Sequence, residues 1–304
     1  MSKLSKLLVL GSEGFIGKHI VKLAIKRNYE VTGIDIIDRL PIGYRYEKLS
    51  LLGDDLDKYL YHNKFDFVIN CSGSGNVAFS IKHSLTDFDL NTRSVKFILE
   101  AIRHNIPEAK YIHLSSAAVY GRSQILPIAE TAKLNPISPY GYHKLLSETI
   151  CEEYSVLHGI PISIVRPFSV YGPGLRKQLL WDIYQKGKLS NEVELWGSGE
   201  ETRDFIFVED LAKAIFLVAN TKHRDLQLYN LANGVSITIK IMAEKLFHAL
   251  EWNRKLSFNG FIREGDPRFW QADINRLSAL SYLPDVDLTK GLEQTAKWLL
   301  ENEK

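Results

Sequence analysis

Cysteine is scarce: the 304-residue chain has two, Cys71 and Cys151. A pair so far apart gives neither a disulfide framework nor a four-ligand zinc site, and no metal is expected. Such usage fits a reducing compartment, so the cytoplasm is the expected location. An excess of one charge is also missing. Thirty-eight basic residues face 36 acidic ones, for a net charge of +2. A dedicated nucleic-acid binder carries a basic excess or stripe, and nucleic acid is therefore excluded as a partner. Long apolar runs are absent too. Residues 7–10 form a run that Gly11 ends, too short for the core of a signal peptide. No stretch approaches the ~18 apolar residues of a membrane span, so no membrane partner is expected. There is no internal repeat and no low-complexity tract.

What is present is an ordinary globular balance, 45% hydrophobic and 24% charged. A chain of this size buries roughly three quarters of its unfolded surface and needs no covalent staple. The first 110 residues alternate strand-like and helix-like segments. Residues 7–10 read as a strand buried on both faces, and 31–37, 65–70 and 111–114 as further strands. Residues 15–28, 56–61 and 89–105 carry apolar residues at helical spacing. This order predicts an α/β fold, a Rossmann-type doubly wound parallel sheet. Further on, helices are expected at 139–158, 208–219 and 237–250, and a strand at 162–166. Gly- and Pro-rich loops follow residue 167. The expected division is residues 1–166, with about 203–225 returning to them, as the cofactor unit. Residues 167–304 form a smaller, discontinuous α+β substrate-binding unit.

Gly11-Ser12-Glu13-Gly14-Phe15-Ile16-Gly17 lies where the first strand meets the first helix. Small residues there let backbone approach a pyrophosphate, and the helix N-terminus offers free N–H groups and the positive dipole end. Three glycines alone could be a plain tight turn; their placement points to a dinucleotide. Asp35 closes the second strand. Its carboxylate can accept from the adenosine ribose hydroxyls and would repel a 2′-phosphate, which favours NAD over NADP. Tyr140-Gly141-Tyr142-His143-Lys144 puts Tyr140 and Lys144 on one helix face. A phenol titrates near 10, and lowering that by ~3 units requires about 4 kcal/mol of preferential stabilisation of the phenolate. An adjacent ammonium and an oxidised nicotinamide favour that form. A Tyr-x-x-x-Lys pair is common by chance. Ser115-Ser116-Ala117-Ala118-Val119-Tyr120-Gly121, at the end of a strand, gives it context.

Together these segments resemble the extended short-chain dehydrogenase/reductase superfamily, and within it the NAD-dependent nucleotide-sugar epimerase/dehydratase family. The likeness runs along nearly the whole chain. Arg166-Pro167-Phe168-Ser169-Val170-Tyr171-Gly172-Pro173 is similar to the family's R-x-x-N-V-Y-G-P. Gly197-Ser198-Gly199 with Arg203-Asp204-Phe205 is similar to its G-x-G…R-D-F signature. Arg263-Glu264-Gly265-Asp266 with Ala272-Asp273 is similar to its R-x-G-D…A-D region.

The resemblance implies Tyr140 as general acid/base and Lys144 as the group that orients the nicotinamide ribose and lowers the Tyr140 pKa. It implies Ser116, with Ser115 the second choice, as the hydroxyl that bonds the reacting oxygen. Gly11, Gly14, Phe15, Ile16, Gly17, Asp35, Ser50, Leu51 and Ser72 would join Tyr140 and Lys144 in holding NAD, with Asp54 the alternative to Ser50. Asn76, Ser116, Tyr140, Ser169, Arg203 and Arg263 would meet a nucleotide-diphosphate sugar, with Arg268 a further candidate. Asn91 is either a site residue or a purely structural one. The family also implies a homodimer built on the helices near 89–105 and 139–158. Phe97, Ile98, Ile102, Ile150 and Tyr154 are the apolar candidates for that contact or are simply core residues. Departures narrow the choice. Ala117 and Ala118 stand where dehydratases place Asp-Glu, which argues against 4,6-dehydration. Ser169 replaces an Asn that touches substrate. The expected activity is an NAD-dependent epimerase acting at a sugar carbinol, most plausibly C4. The alternatives are an NAD(P)H-dependent nucleotide-keto-sugar reductase and a non-catalytic NAD(P)-sensing protein.

Overall fold

A computed structural model describes residues 4–38, 43–261, 265 and 267–303. The first half of the chain contains β1 (Lys6–Leu10), α1 (Phe15–Lys26), β2 (Glu30–Asp35), β3 (Arg45–Lys48), α2 (Asp55–His62) and β4 (Phe67–Asn70). Two short helices follow, α3 (Val77–Lys82) and α4 (Ser84–Phe88), then a π-helical turn, Asp89–Arg93. Next come α5 (Ser94–Asn105), β5 (Lys110–Leu114), a 3-10 turn at Ala117–Val119, and α6 (Pro139–His158). The second half holds β6 (Ile162–Pro167), β7 (Ser169–Tyr171), α7 (Gln178–Leu189), β8 (Glu192–Leu195), β9 (Thr202–Phe207) and α8 (Val208–Ala219). It continues with β10 (Gln227–Leu231), β11 (Ser236–Thr238), α9 (Ile239–Ala249), β12 (Lys255–Phe258), α10 (Asn275–Ser278) and α11 (Leu288–Asn302). Among the described residues no helix is long and apolar enough to cross a membrane.

Seven parallel strands form the central sheet, in the order β10-β6-β5-β4-β1-β2-β3. Its continuous apolar strands follow from burial on both faces. Leu7 and Val9 point into a core closed by Ile20, Val21 and Ala24 of α1 and by the apolar side of α8. Leu8 and Leu10 point into a second core closed by α2, α5 and α6. The chain runs outward from β1 through β2 and β3, then restarts at β4 and runs the other way. That reversal opens a crevice at the C-terminal ends of β1 and β4, where open α/β sheets bind ligands.

A third core lies apart from the sheet, around Tyr171, Ile183, Val193, Phe207, Met242 and Leu299. It is built by α7, α9, α11, the three-stranded sheet β11-β9-β7 and the pair β12-β8. The α6 boundaries have local causes: the Ser138 side chain accepts from the Gly141 N–H, Pro139 sits at the first turn, and Gly159 leaves the helix at φ 67°.

Three findings depart from the sequence expectations. Strands β3 and β7 to β12, among them β10 at one edge of the central sheet, and helices α3, α4, α7, α10 and α11 have no counterpart among the expected segments. The segment expected to begin a single helix at Asp89 is instead preceded by two short helices and opened by the π turn. Ile98, Ile102 and Tyr154 are at most 1% exposed within the protomer core, so they are not free for a subunit contact.

Candidate active site

The crevice continues between the sheet and the smaller core as a cleft of about 790 Å³. Gly14, Phe15 and Ile16 form part of its wall. Gly11 turns the chain at φ 77°, and a Cβ there would lie 2.8 Å from the Ser72 backbone. A Cβ on Gly17 would come within 2.1 Å of the Gly11 carbonyl oxygen. Both positions demand glycine, and they draw α1 tightly onto the end of β1. No side chain caps α1, so its first N–H groups stay available beside the cleft.

Asp35 stands next to this turn. One carboxylate oxygen accepts the Glu13 N–H at 2.9 Å and the other the Ile36 N–H at 2.8 Å. Each oxygen keeps a lone pair for a further donor. Ser50 and Leu51 leave β3 just past Lys48, the register partner of Asp35. Ser50 is exposed and its hydroxyl accepts the Leu52 N–H; Leu51 packs on the helical core. Gly11, Gly17, Asp35, Ser50 and Leu51 flank the cleft but are not part of its wall. Ser72 is on the wall, its N–H and hydroxyl both donating to Asn70 Oδ1.

Ser116, Tyr140 and Lys144 converge on the same wall. The Ser116 and Tyr140 hydroxyls share that wall, and Ser116 Oγ accepts the Ala118 N–H at 3.1 Å. The Lys144 ammonium donates to the Leu114 carbonyl at 2.9 Å. Burial pushes its pKa down to about 8, against the opposing carboxylates of Asp87 and Glu148. Burial also pushes the Tyr140 phenol up to about 12, only partly offset by the Ser116 hydroxyl. In the protein alone desolvation prevails, because a phenolate costs more out of water than its neighbours return. Ser115 also lines the cleft, and its hydroxyl donates to Glu148.

Asn76 caps α3, its side-chain oxygen accepting the Phe79 N–H at 3.0 Å, and it lines the cleft with Ser169. Arg203 lies on the wall with Arg268. Its guanidinium donates to the Thr202 carbonyl at 2.9 Å and stacks 5.7 Å from the Trp270 ring centroid. Arg263 lies outside the described residues, as do Glu264 and Asp266 of its motif. Asn91 sits in the π turn, 1% exposed, and is not part of the cleft wall.

Lys177 is a cleft residue that the sequence reading missed. It caps the start of α7, and its ammonium lies 3.2 Å from where a Gly75 Cβ would stand. Burial lowers its pKa. No motif marks it; only the packing of the 172–178 loop against the 73–76 turn brings it into the cleft.

Comparison with known proteins agrees with this architecture. A putative UDP-glucose 4-epimerase from Methanocaldococcus jannaschii is 28% identical, over 98% of this chain and 99% of its own length. The structure of UDP-N-acetylglucosamine 4-epimerase from Methanobrevibacter ruminantium M1, in complex with UDP-N-acetylmuramic acid, superposes with a TM-score of 0.88. It is 28% identical and covers 98% of this chain and 99% of that one. The UDP-glucuronic acid 4-epimerase from Bacillus cereus, in complex with UDP-glucuronic acid and NAD, also gives 0.88 at 28% identity, covering 97% and 99%. The sequence model of the NAD dependent epimerase/dehydratase family matches residues 7–232, and the chain belongs to that family.

Proposed function

We propose that this protein is an NAD-dependent nucleotide-sugar 4-epimerase acting on a UDP-sugar. The observation that carries this reading is the convergence of Tyr140, Ser116 and Lys144 on one cleft that begins at an uncapped glycine turn. The residues present fit NAD. Side chains at Gly11 and Gly17 would fill the space the turn needs, and the Asp35 carboxylate has acceptor capacity left for ribose hydroxyls. Gly14, Phe15, Ile16 and Ser72 would flank the pyrophosphate, with Ser50 and Leu51 beside the adenosine end. When bound, NAD supplies a reversible hydride acceptor.

The chain's own groups handle the proton and the substrate. Tyr140 takes the proton from the sugar hydroxyl as the carbon becomes a ketone, and returns it after the sugar has turned over. Ser116 holds the reacting oxygen by hydrogen bond. Because burial keeps the phenol near 12, its ionisation requires positive charge close by, which the Lys144 ammonium and an oxidised nicotinamide supply. Lys144 also orients the nicotinamide ribose. Arg203, Arg268 and Lys177, with Arg263, supply cations for the diphosphate; guanidinium forks suit it bidentately. Asn76 and Ser169 face the sugar. UDP-sugars are what the named relatives act on, which supports UDP as the nucleotide.

A homodimer is part of the reading. α6 presents Tyr142, Leu146, Val156 and Leu157, all exposed, beside Leu85 of α4, and this face suits a second copy of the same helix. Light scattering of Leu146→Asp/Leu157→Asp against the unaltered protein tests it. The activity test is chromatography after incubating NAD-loaded protein with UDP-glucose, UDP-N-acetylglucosamine and UDP-glucuronic acid. An isomer is expected from at least one; none from any of these, nor from TDP-, GDP- or CDP-sugars, defeats the reading.

A further inference from the structure

Against the cleft wall lies a buried polar network whose members neither take nor give the substrate proton. Arg166 of β6 is 2% exposed and Glu148 of α6 is 6%. Arg166 Nη2 donates to Glu148 Oε2 at 2.6 Å, and Nε donates to Oε1 at 3.0 Å. Its Nη1 donates to the Tyr120 hydroxyl at 2.9 Å and to the Glu130 carbonyl at 3.1 Å. Tyr120 in turn donates to Asn230 Oδ1 at 2.6 Å. Every nitrogen of the guanidinium is therefore engaged. The third donor to the Glu148 carboxylate is the Ser115 hydroxyl.

A buried ion pair contributes little net stability compared with an apolar pair of the same volume. Its location is more informative. Tyr140, Lys144 and Glu148 are spaced i, i+4, i+8 on one face of α6. Lys144 bonds the Leu114 carbonyl, and Glu148 bonds the next residue, Ser115. The strand end that carries Ser116 is thus tied to α6 at two successive residues. Arg166 fixes the second tie by holding both carboxylate oxygens. We infer that Glu148 and Arg166 are positioning residues, which through Ser115 hold the Ser116 hydroxyl in register with Tyr140. This rests on the epimerase reading given above.

The test compares Glu148→Gln and Ser115→Ala with the unaltered protein, each fully loaded with NAD. Turnover is expressed per NAD-binding site, so that a smaller folded fraction does not count as a slower enzyme. The other readouts are KM for the UDP-sugar and the isotope effect from sugar deuterated at the reacting carbon. Misplacement by under 1 Å is enough for a loss of about tenfold in kcat. The expected result is that loss in both variants, KM within about twofold, and a larger isotope effect because the chemical step has become slower. Turnover per site equal to the unaltered protein in Ser115→Ala overturns the inference, whatever Glu148→Gln does. If Glu148→Gln does not fold, Ser115→Ala alone decides, since it leaves the ion pair intact. Tyr140→Phe is run beside them. Full activity in that variant defeats the epimerase reading itself, whereas an inactive Tyr140→Phe with a fully active Ser115→Ala defeats the positioning role alone.

Discussion

Replacing Gly17 by Ala places one methyl group where the account says none fits. In an ordinary helix this change is favourable by about 1 kcal/mol, since Ala loses less backbone freedom. Here the new Cβ would stand 2.1 Å from the Gly11 carbonyl oxygen and 2.9 Å from its carbonyl carbon. Both are backbone atoms, so no rotamer change relieves the contact. The start of α1 must move off the β1 turn by about 1 Å to reach van der Waals distance. Overpacking of this kind costs about 1–3 kcal/mol, which cancels or exceeds the helical gain. The larger effect falls on NAD. The displaced N–H groups are those proposed to meet the pyrophosphate, and hydrogen bonds to a charged group contribute about 1.5–3 kcal/mol each. Losing the equivalent of one or two weakens binding by about 100-fold, or about 2.7 kcal/mol. Differential scanning fluorimetry reads this directly. At a concentration 100 times Kd, NAD stabilises the unaltered protein by about 2.7 kcal/mol; at the same concentration the variant retains about 0.4 kcal/mol. For a chain of this length the NAD-induced rise in Tm should shrink by about 4 °C. An unchanged NAD-induced rise, with a higher Tm in its absence, would refute the tight-packing argument.

Tyr140→Phe should lower kcat by about 10²–10⁴-fold while the NAD Kd, by fluorescence titration, stays within about twofold. Lys144 titrates at about 8: its charged form is present below that pH and lost as pH rises through it, so kcat/KM should fall above about pH 8. Lys144→Arg, which stays charged, should move that limb upward, and a limb left in place would remove Lys144 as its source. Lys177→Met should raise the Kd for UDP by about tenfold by calorimetry, in line with the loss of one charge-assisted bond, and leave NAD affinity unchanged.

The fold was legible wherever burial left a periodic trace. β1 is apolar at every residue from Leu7 to Leu10 because alternate side chains enter two different cores. β3 left no such trace. Arg45-Tyr46-Glu47-Lys48 is an edge strand with no fully buried residue, and its polarity is what an edge requires. The glycine turn and the Ser116, Tyr140 and Lys144 positions lie in local motifs, and their place at strand ends together with the family resemblance brings them forward. Lys177, the orientation of Ser115 and the Glu148–Arg166 pair arise from contacts between segments distant in sequence, and no local pattern encodes them. The desolvation that holds the Tyr140 phenol up in the protein alone is illegible for a related reason. A sequence names the neighbouring cation, whereas the opposing desolvation depends on how completely the packed fold excludes water.

The most direct test of the central claim is proton NMR of a UDP-sugar incubated in D₂O with the NAD-loaded protein. Hydride that leaves the sugar and returns to it never exchanges with solvent. The expected product is the C4 epimer with ordinary hydrogen at C4, and no such product forms with Tyr140→Phe. Deuterium at the inverted carbon, or the same isomer formed at full rate by Tyr140→Phe, would contradict it.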